Sequence, residues 1–162
     1  MENTKVKVIM ENGGEFTVEL MPEYAPATVE NFVNLVEENF YDGIIFHRVI
    51  AGFMAQGGDP TGTGMGGSGV NIPGEFRSNG FGANTLKHER GVISMSRSMD
   101  KDSASSQFFI CFEDAPHLDG EYAAFGKVTE GMEVVDSFAE IPTDYMDKPT
   151  EPIVIKTMVI SD

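Results

Sequence analysis

Apolar and polar residues alternate over residues 5–10 and 15–20, with Val6, Val8 and Met10 on one face of the first run and Phe16, Val18 and Leu20 on one face of the second. A period of two places every second side chain on the same side of a strand. Asn12-Gly13-Gly14 stands between the runs and supplies the positive backbone angles of a tight hairpin. The period then lengthens. Across residues 25–40, Val29, Phe32, Val33, Val36 and Phe40 form one stripe, and Pro26 sits where a helix's first turn tolerates a missing N–H. Further strands are predicted over 91–95, 107–112 and 123–128. A second short helix is expected over 131–140, with Met132, Val135 and Phe138 inward, and a closing strand over 153–160, apolar at Ile153, Ile155 and, after a change of phase, Val159.

Between the first helix and these later strands lies the segment that organises the chain, residues 45–59. It opens as a strand with Ile45, Val49 and Ile50, turns at Gly52, and resumes through Phe53, Met54 and Gln56 into Gly57-Gly58. A long glycine-rich loop, 57–69, follows. Glu75-Phe76 reads as a short edge segment, residues 77–90 show no period, and 96–106 is a polar loop. Many short strands with two separated helices predict a mainly β fold, an antiparallel barrel or sandwich. Periodicity alone leaves those two open.

At 162 residues, a single domain spanning 1–162 is expected. A net charge of −15 argues against a nucleic-acid partner, because phosphate would be repelled. No stretch reaches the length of a membrane span, and Met1-Glu2-Asn3-Thr4-Lys5 lacks the basic start of a secretory leader. The sole cysteine, Cys111, lies among apolar residues and reads as a buried thiol, so a reducing, cytoplasmic setting is expected.

Gly62-Thr63-Gly64-Met65-Gly66-Gly67 has the spacing of a dinucleotide fingerprint, but Ser68-Gly69 and Pro73-Gly74 follow where a helix would have to start. No phosphate loop is present, and Gly66-Gly67-Ser68-Gly69-Val70 lacks the final glycine of a hydrolase elbow. His47, His88 and His117 stand far apart without ligand spacing, so no metal and no cofactor are expected. What remains is Arg48. A surface arginine usually forms a weak ion pair, yet this one adjoins bulky apolar residues and meets no acid on its C-terminal side until Asp59. One fixed cation beside Phe53, Met54 and the amide of Gln56 suits an apolar substrate with one polar atom to be hydrogen-bonded. Phe108 and Phe109 must face opposite sides of their strand; one packs inside and the other covers something else.

Phe46-His47-Arg48-Val49-Ile50-x-Gly52-Phe53-Met54-x-Gln56-Gly57-Gly58-Asp59, followed by Ser106-Gln107-Phe108-Phe109-Ile110, resembles the cyclophilin family of peptidyl-prolyl cis-trans isomerases along nearly the whole chain. The resemblance implies a closed antiparallel barrel of about eight strands, with a helix over each open end. It implies prolyl isomerisation during protein folding, with Arg48, Phe53, Gln56 and Phe109 as catalytic residues. Phe53, Met54, Phe109 and Leu118 would form the proline pocket, the backbone of Ser96, Arg97 and Ser98 would pair with substrate, and Gly64 and Gln107 would line a neighbouring subsite. His117 and Tyr122 would complete the rim. Here the chain departs from the better-known eukaryotic pattern, which has tryptophan at position 117, histidine at 122 and asparagine at 97; Pro116-His117-Leu118-Asp119-Gly120 looks more like the compact bacterial branch. Proline-containing peptides and unfolded proteins are the implied partners, the protein acting as a monomer. Binding of cyclosporin, the family's typical inhibitor, is expected to be weak. Two other readings differ: a binding module or chaperone of this fold without turnover, which would not need Arg48, and a carrier with an empty barrel, which Phe16, Phe46, Phe108, Phe112 and Phe125 argue against.

Overall fold

The computed structural model describes residues 3–161; Met1 and Glu2, which belong to the leader reading, and Asp162 lie outside them. Eight strands are described, β1 (Lys5–Met10), β2 (Glu15–Leu20), β3 (Arg48–Ile50), β4 (Met54–Gly57), β5 (Val92–Met95), β6 (Phe108–Cys111), β7 (Ala124–Glu130) and β8 (Ile155–Ser161), with helices α1 (Pro26–Glu37) and α2 (Met132–Phe138). The strands form one sheet in the order β3-β4-β6-β5-β7-β2-β1-β8, and every pairing is antiparallel.

The first hairpin forms where expected: Gly13 is left-handed at φ 94°, and the Gly14 N–H donates to Asn12 Oδ1 at 2.9 Å. The closing strand changes phase because of a bulge. Met10 pairs with Ile155 and Ile9 with Thr157, which leaves Lys156 as the extra residue. The inward side chain after the bulge is therefore Met158, and Val159, expected inside, is exposed.

The expected closed barrel is corrected by this topology. β3 and β8 are the two edges of the ladder, and the seam between them is crossed by an isolated bridge, Ile45–Val154, with hydrogen bonds from Phe46 N to Ile153 O and from Ile155 N to Ile44 O. The chain ahead of β3 crosses the seam without keeping strand geometry, so the sheet is curled and barrel-like but open.

Aromatic rings fill its interior. Phe108 lies 5.8 Å from Phe32 and 5.7 Å from Phe46, both edge-on, and Phe46 lies 4.9 Å from Phe138. An empty ligand-carrying barrel is ruled out. α1 meets the end of the sheet where Leu20 and Gly126 pair, through Phe32 on Phe125; α2 meets the other end of β2, through Phe138 on Phe16. The helices thus cover opposite ends, as expected. α1 stops at Glu37, short of the predicted residue 40, with Asn39 in the left-handed region, and Leu35 joins its buried face while Val33 is only partly covered.

Ala25, at the N-cap of α1, has no side-chain oxygen to offer. The buried carboxylate of Glu75, 47 residues away from Thr28, accepts from Thr28 N (2.6 Å), Thr28 Oγ1 (2.7 Å) and Ala27 N (3.2 Å). The Glu75-Phe76 segment, expected as an edge strand, is instead this remote cap.

Candidate active site

Alternation sends one set of side chains on β3, β4, β6 and β5 into the interior and the other set outward. Val49, Ala55, Phe108, Ile110, Ile93 and Met95 belong to the interior cluster; Ile50, Met54, Phe109 and Cys111 belong to a second apolar cluster with Phe53, Leu118 and Tyr122. Strand register aligns the outward residues. Arg48 lies opposite Gln56, Gln56 opposite Phe109, and Phe109 opposite Ser94, a row crossing four strands. Phe109 faces the second cluster and Phe108 the interior, as expected.

Polar groups run along this row. Arg48 Nη1 reaches Gln56 Oε1 at 3.4 Å, a long bond that is easily exchanged, and Gln56 Nε2 donates to Gln107 Oε1 at 2.9 Å. Gln107 Nε2 in turn donates to the carbonyls of Gly64 (3.0 Å) and Gly66 (2.8 Å). Those glycines are held from beneath by the buried carboxylate of Asp59, which accepts from Gly64 N, Gly66 N, Thr63 N and both the N–H and hydroxyl of Thr61. Burial pushes the Asp59 carboxyl upward, but these donors outweigh it and hold the pKa at about 2. A Cβ at Gly66 would run into that carboxylate, and Gly64 needs φ 89°. The glycine spacing that mimics a dinucleotide fingerprint thus serves a loop wrapped on one aspartate.

Arg97 forms the opposite wall. Its guanidinium lies between two rings, 4.8 Å from the centre of Phe76 and 4.7 Å from that of Tyr122. It also donates from Nε and Nη2 to the Glu121 carbonyl and from Nη1 to the Ser98 carbonyl. The side chain therefore staples the 96–98 loop to the turn that follows Leu118. Behind Phe109 lies His88, stacked on its ring at 5.9 Å. His88 contacts Asp119 through Nδ1 (3.1 Å) and Ser94 Oγ through Nε2 (2.9 Å). Ser94 and His88 are fully enclosed, so this Ser-His-Asp chain supports the pocket floor and offers no accessible nucleophile. Burial lowers the His88 pKa against the pull of Asp119. Cys111 is buried beside Met54, and burial pushes its thiol up to about 12.

Two adjoining cavities open on this face. One of about 220 Å³ is lined by Arg48, Phe53, Met54, Gln56, Ser96, Arg97, Phe109, Leu118 and Tyr122. The other, of about 210 Å³, shares Gln56, Ser96 and Arg97 and adds Gly64, Ser98 and Gln107. His117 lines neither; it is exposed at the rim, its ring 5.6 Å from that of Phe53. Every site residue expected from the sequence is thus gathered on one face. Asp59, Phe76, His88 and Ser94 were not anticipated, and only the unusual burial of polar side chains gives three of them away. Among the described residues Arg48 has no carboxylate within ion-pair distance, and no group of three or more His, Cys, Asp or Glu is placed to hold a metal ion.

The profile of the family "Cyclophilin type peptidyl-prolyl cis-trans isomerase/CLD" matches residues 5–160. The chain is 48% identical over 142 residues to a peptidyl-prolyl cis-trans isomerase of Helicobacter pylori strain 26695, covering 86% of this chain and 83% of that one. It is 50% identical over 125 residues to peptidyl-prolyl cis-trans isomerase B of Bacillus subtilis, covering 77% and 83%. Longer fungal relatives also match, the chain spanning about a quarter of their length. Among solved structures, a Cryptosporidium parvum cyclophilin-type isomerase superposes with a TM-score of 0.88 at 35% identity, over 99% of this chain and 98% of that one. A second structure of that protein, determined in the presence of the dipeptide Ala-Pro, gives 0.87 at 36% identity, over 98% and 99%. The chain belongs to the cyclophilin-type peptidyl-prolyl cis-trans isomerases, and its reaction is rotation about the peptide bond before proline.

Proposed function

We propose that Arg48 drives the rotation by donating to the prolyl nitrogen at the twisted transition state. Delocalisation of the nitrogen lone pair into the carbonyl sets a barrier of about 18–20 kcal/mol, while cis and trans X–Pro differ by only about 0.5–1 kcal/mol. A catalyst therefore has only to favour the twisted form. As the bond twists, the nitrogen turns pyramidal, regains its lone pair and becomes an acceptor. A guanidinium at that point has little to bind in the planar amide and much in the twisted one, the differential binding on which catalysis depends. The rigid, permanently charged fork of arginine suits this role. Phe53, Met54, Phe109 and Leu118 take the proline ring, Gln56 exchanges its long bond with Arg48 for the substrate carbonyl, and the 96–98 backbone pairs with the substrate backbone. Gly64 and Gln107 shape the adjoining subsite. No proton moves and no cofactor is used.

The observation that carries this reading is Arg48 itself, a cation without an acidic partner among the described residues, at the mouth of a cavity lined by Phe53, Met54, Phe109 and Leu118. A module that merely bound proline segments would gain little from it. Arg48→Ala should lower kcat/KM by about 10²-fold, the scale of one lost transition-state donor, with the fold intact because Arg48 is exposed. NMR exchange spectroscopy on an Ala-Pro peptide reads the rate. Unchanged turnover in the folded variant would remove Arg48 from the mechanism.

The partners proposed are proline-containing peptides and unfolded chains, engaged by a monomer acting as one domain over residues 1–162. Cyclosporin should bind weakly, because the rim carries the small polar ring of His117 where an indole would offer a wider apolar face. The single buried thiol supports a reducing, cytoplasmic setting. Among the described residues no helix is long and apolar enough to cross a membrane.

A further inference from the structure

A third cavity, about 480 Å³ and larger than either of the two described, lies on the far side of Arg48 and Gln56. Those two side chains form the wall it shares with the proline pocket, and Gly64 is shared with the adjoining subsite, so the three lie side by side as a groove divided by these residues. Its floor is His47, buried, with Nδ1 unpartnered among the described residues. Its outer lip is the turn at 143–149. This turn is closed by the Thr143–Pro149 bridge and by Met146 N and Lys148 N donating to Asp144 Oδ1, and Val49 N on β3 donates to the Asp147 carbonyl at 2.8 Å. The lip is therefore fixed beside Arg48, with Met146 and Lys148 facing the cavity.

Charge distinguishes this groove from the rest of the surface. The chain carries −15 overall, yet the three cavities are lined by three cations, Arg48, Arg97 and Lys148, against one carboxylate, Asp144. One Asp144 oxygen is already occupied by two backbone donors, and Lys148 has no ion-pair partner among the described residues. At physiological salt, charges beyond about 8 Å are largely screened, so a bound peptide responds to the local cations more than to the distant acidic surface. We propose that this third cavity is a further substrate subsite, in which Lys148, backed by Arg48, receives the acidic side chain of an Asp or Glu flanking the proline. The proposal rests on the proline occupying the cavity beside Arg48. It makes the enzyme selective for proline segments carrying an acidic residue on the side that runs toward β3 and the 143–149 turn.

The test uses heptapeptides with three residues on either side of the proline of one Ala-Pro bond, with Glu or the neutral isostere Gln placed in turn at each position other than that alanine and proline. kcat/KM is read by NMR exchange at about 50 and 500 mM NaCl, concentrations that bracket strong and weak screening. At one position on one side of the proline, Glu should exceed Gln by about three- to tenfold, the range from an exposed ion pair to a partly enclosed one. The advantage should shrink in high salt, vanish in Lys148→Ala and invert in Lys148→Glu. Turnover of the Gln peptides should be unaltered in both variants but lowered about 10²-fold in Arg48→Ala, so a fault in the Arg48 reading would show there independently. A Glu-to-Gln ratio of one at every position, or a ratio that persists in Lys148→Glu, overturns the proposal.

Discussion

Asp59→Asn removes one charge while keeping the shape of the side chain, and its effects should extend to Arg48. The wild-type carboxylate is buried and accepts five hydrogen bonds, three of them on Oδ2 from the N–H groups of Thr63, Gly64 and Gly66. An amide can present an acceptor on one side only, so in either orientation its NH₂ group meets donors. The cost is set by how strongly the fold prefers the ionised form. A pKa of about 2 against the model-peptide 3.8 corresponds to about 2 kcal/mol at 1.36 kcal/mol per tenfold. Because the folded value is depressed, this stabilisation is complete above pH 3.8 and is lost as the pH falls through about 2. Urea denaturation at pH 7 should show Asp59→Asn less stable by about 2 kcal/mol, and the difference should narrow between pH 4 and 2 as the wild type loses the same interactions. Activity should fall as well, by about tenfold, the scale of a displaced positioning group. Released Gly64 and Gly66 carbonyls no longer hold Gln107, and Gln107 holds Gln56. A variant with wild-type stability at pH 7 and an undiminished acid transition would refute this account of Asp59. Wild-type turnover in a measurably loosened variant would show that the hydrogen-bonded row does not position the site.

Arg97→Ala should raise KM about five- to tenfold with a smaller change in kcat, since the cation–π staple, about 1–2 kcal/mol, holds the wall proposed to pair with substrate backbone. Arg97→Lys should restore only part of this, and a kcat-only defect would place Arg97 in the chemistry instead. For an uncharged peptide, kcat/KM should vary by less than about threefold between pH 6 and 8, because the proposed mechanism moves no proton and burial disfavours the charged forms of both His47 and His88. A bell-shaped profile with tenfold changes would contradict catalysis without proton transfer. The same two histidines make stability decline on acidification: with folded values below 6.5, their contribution is complete above that pH and fades as the pH falls through the folded pKa, as thermal denaturation from pH 8 to 5 should show.

Local pattern made much of this molecule legible. The alternation of Val6, Val8 and Met10 against Phe16, Val18 and Leu20 gave the first hairpin, and the opposed faces of Phe108 and Phe109 required a second apolar layer somewhere. Three features could not be read locally. The β8 bulge at Lys156 depends on its pairing with β1, and so moves the inward position from Val159 to Met158. The α1 cap comes from Glu75, which only the folded chain brings near. The row Arg48-Gln56-Phe109-Ser94 needs the strand order β3-β4-β6-β5, which periodicity does not specify. The motifs name the residues that gather around the cavities, whereas the supports of those residues, Asp59 and His88, follow from tertiary hydrogen bonding.

The separation of the outer apolar cluster from the ring-filled interior has a consequence for descent. On β4 and β6, neighbouring residues have different surroundings: Ala55, Phe108 and Ile110 pack in the ring-filled interior, while Met54, Gln56 and Phe109 line the outer cavity. Drift in recognition therefore need not pass through unstable intermediates. The three positions at which this chain leaves the better-known pattern, Arg97, His117 and Tyr122, all lie in the loops and outer layer, and none is among the rings that fill the sheet. A lineage with this arrangement can change clients by rewriting its rim while inheriting its interior intact.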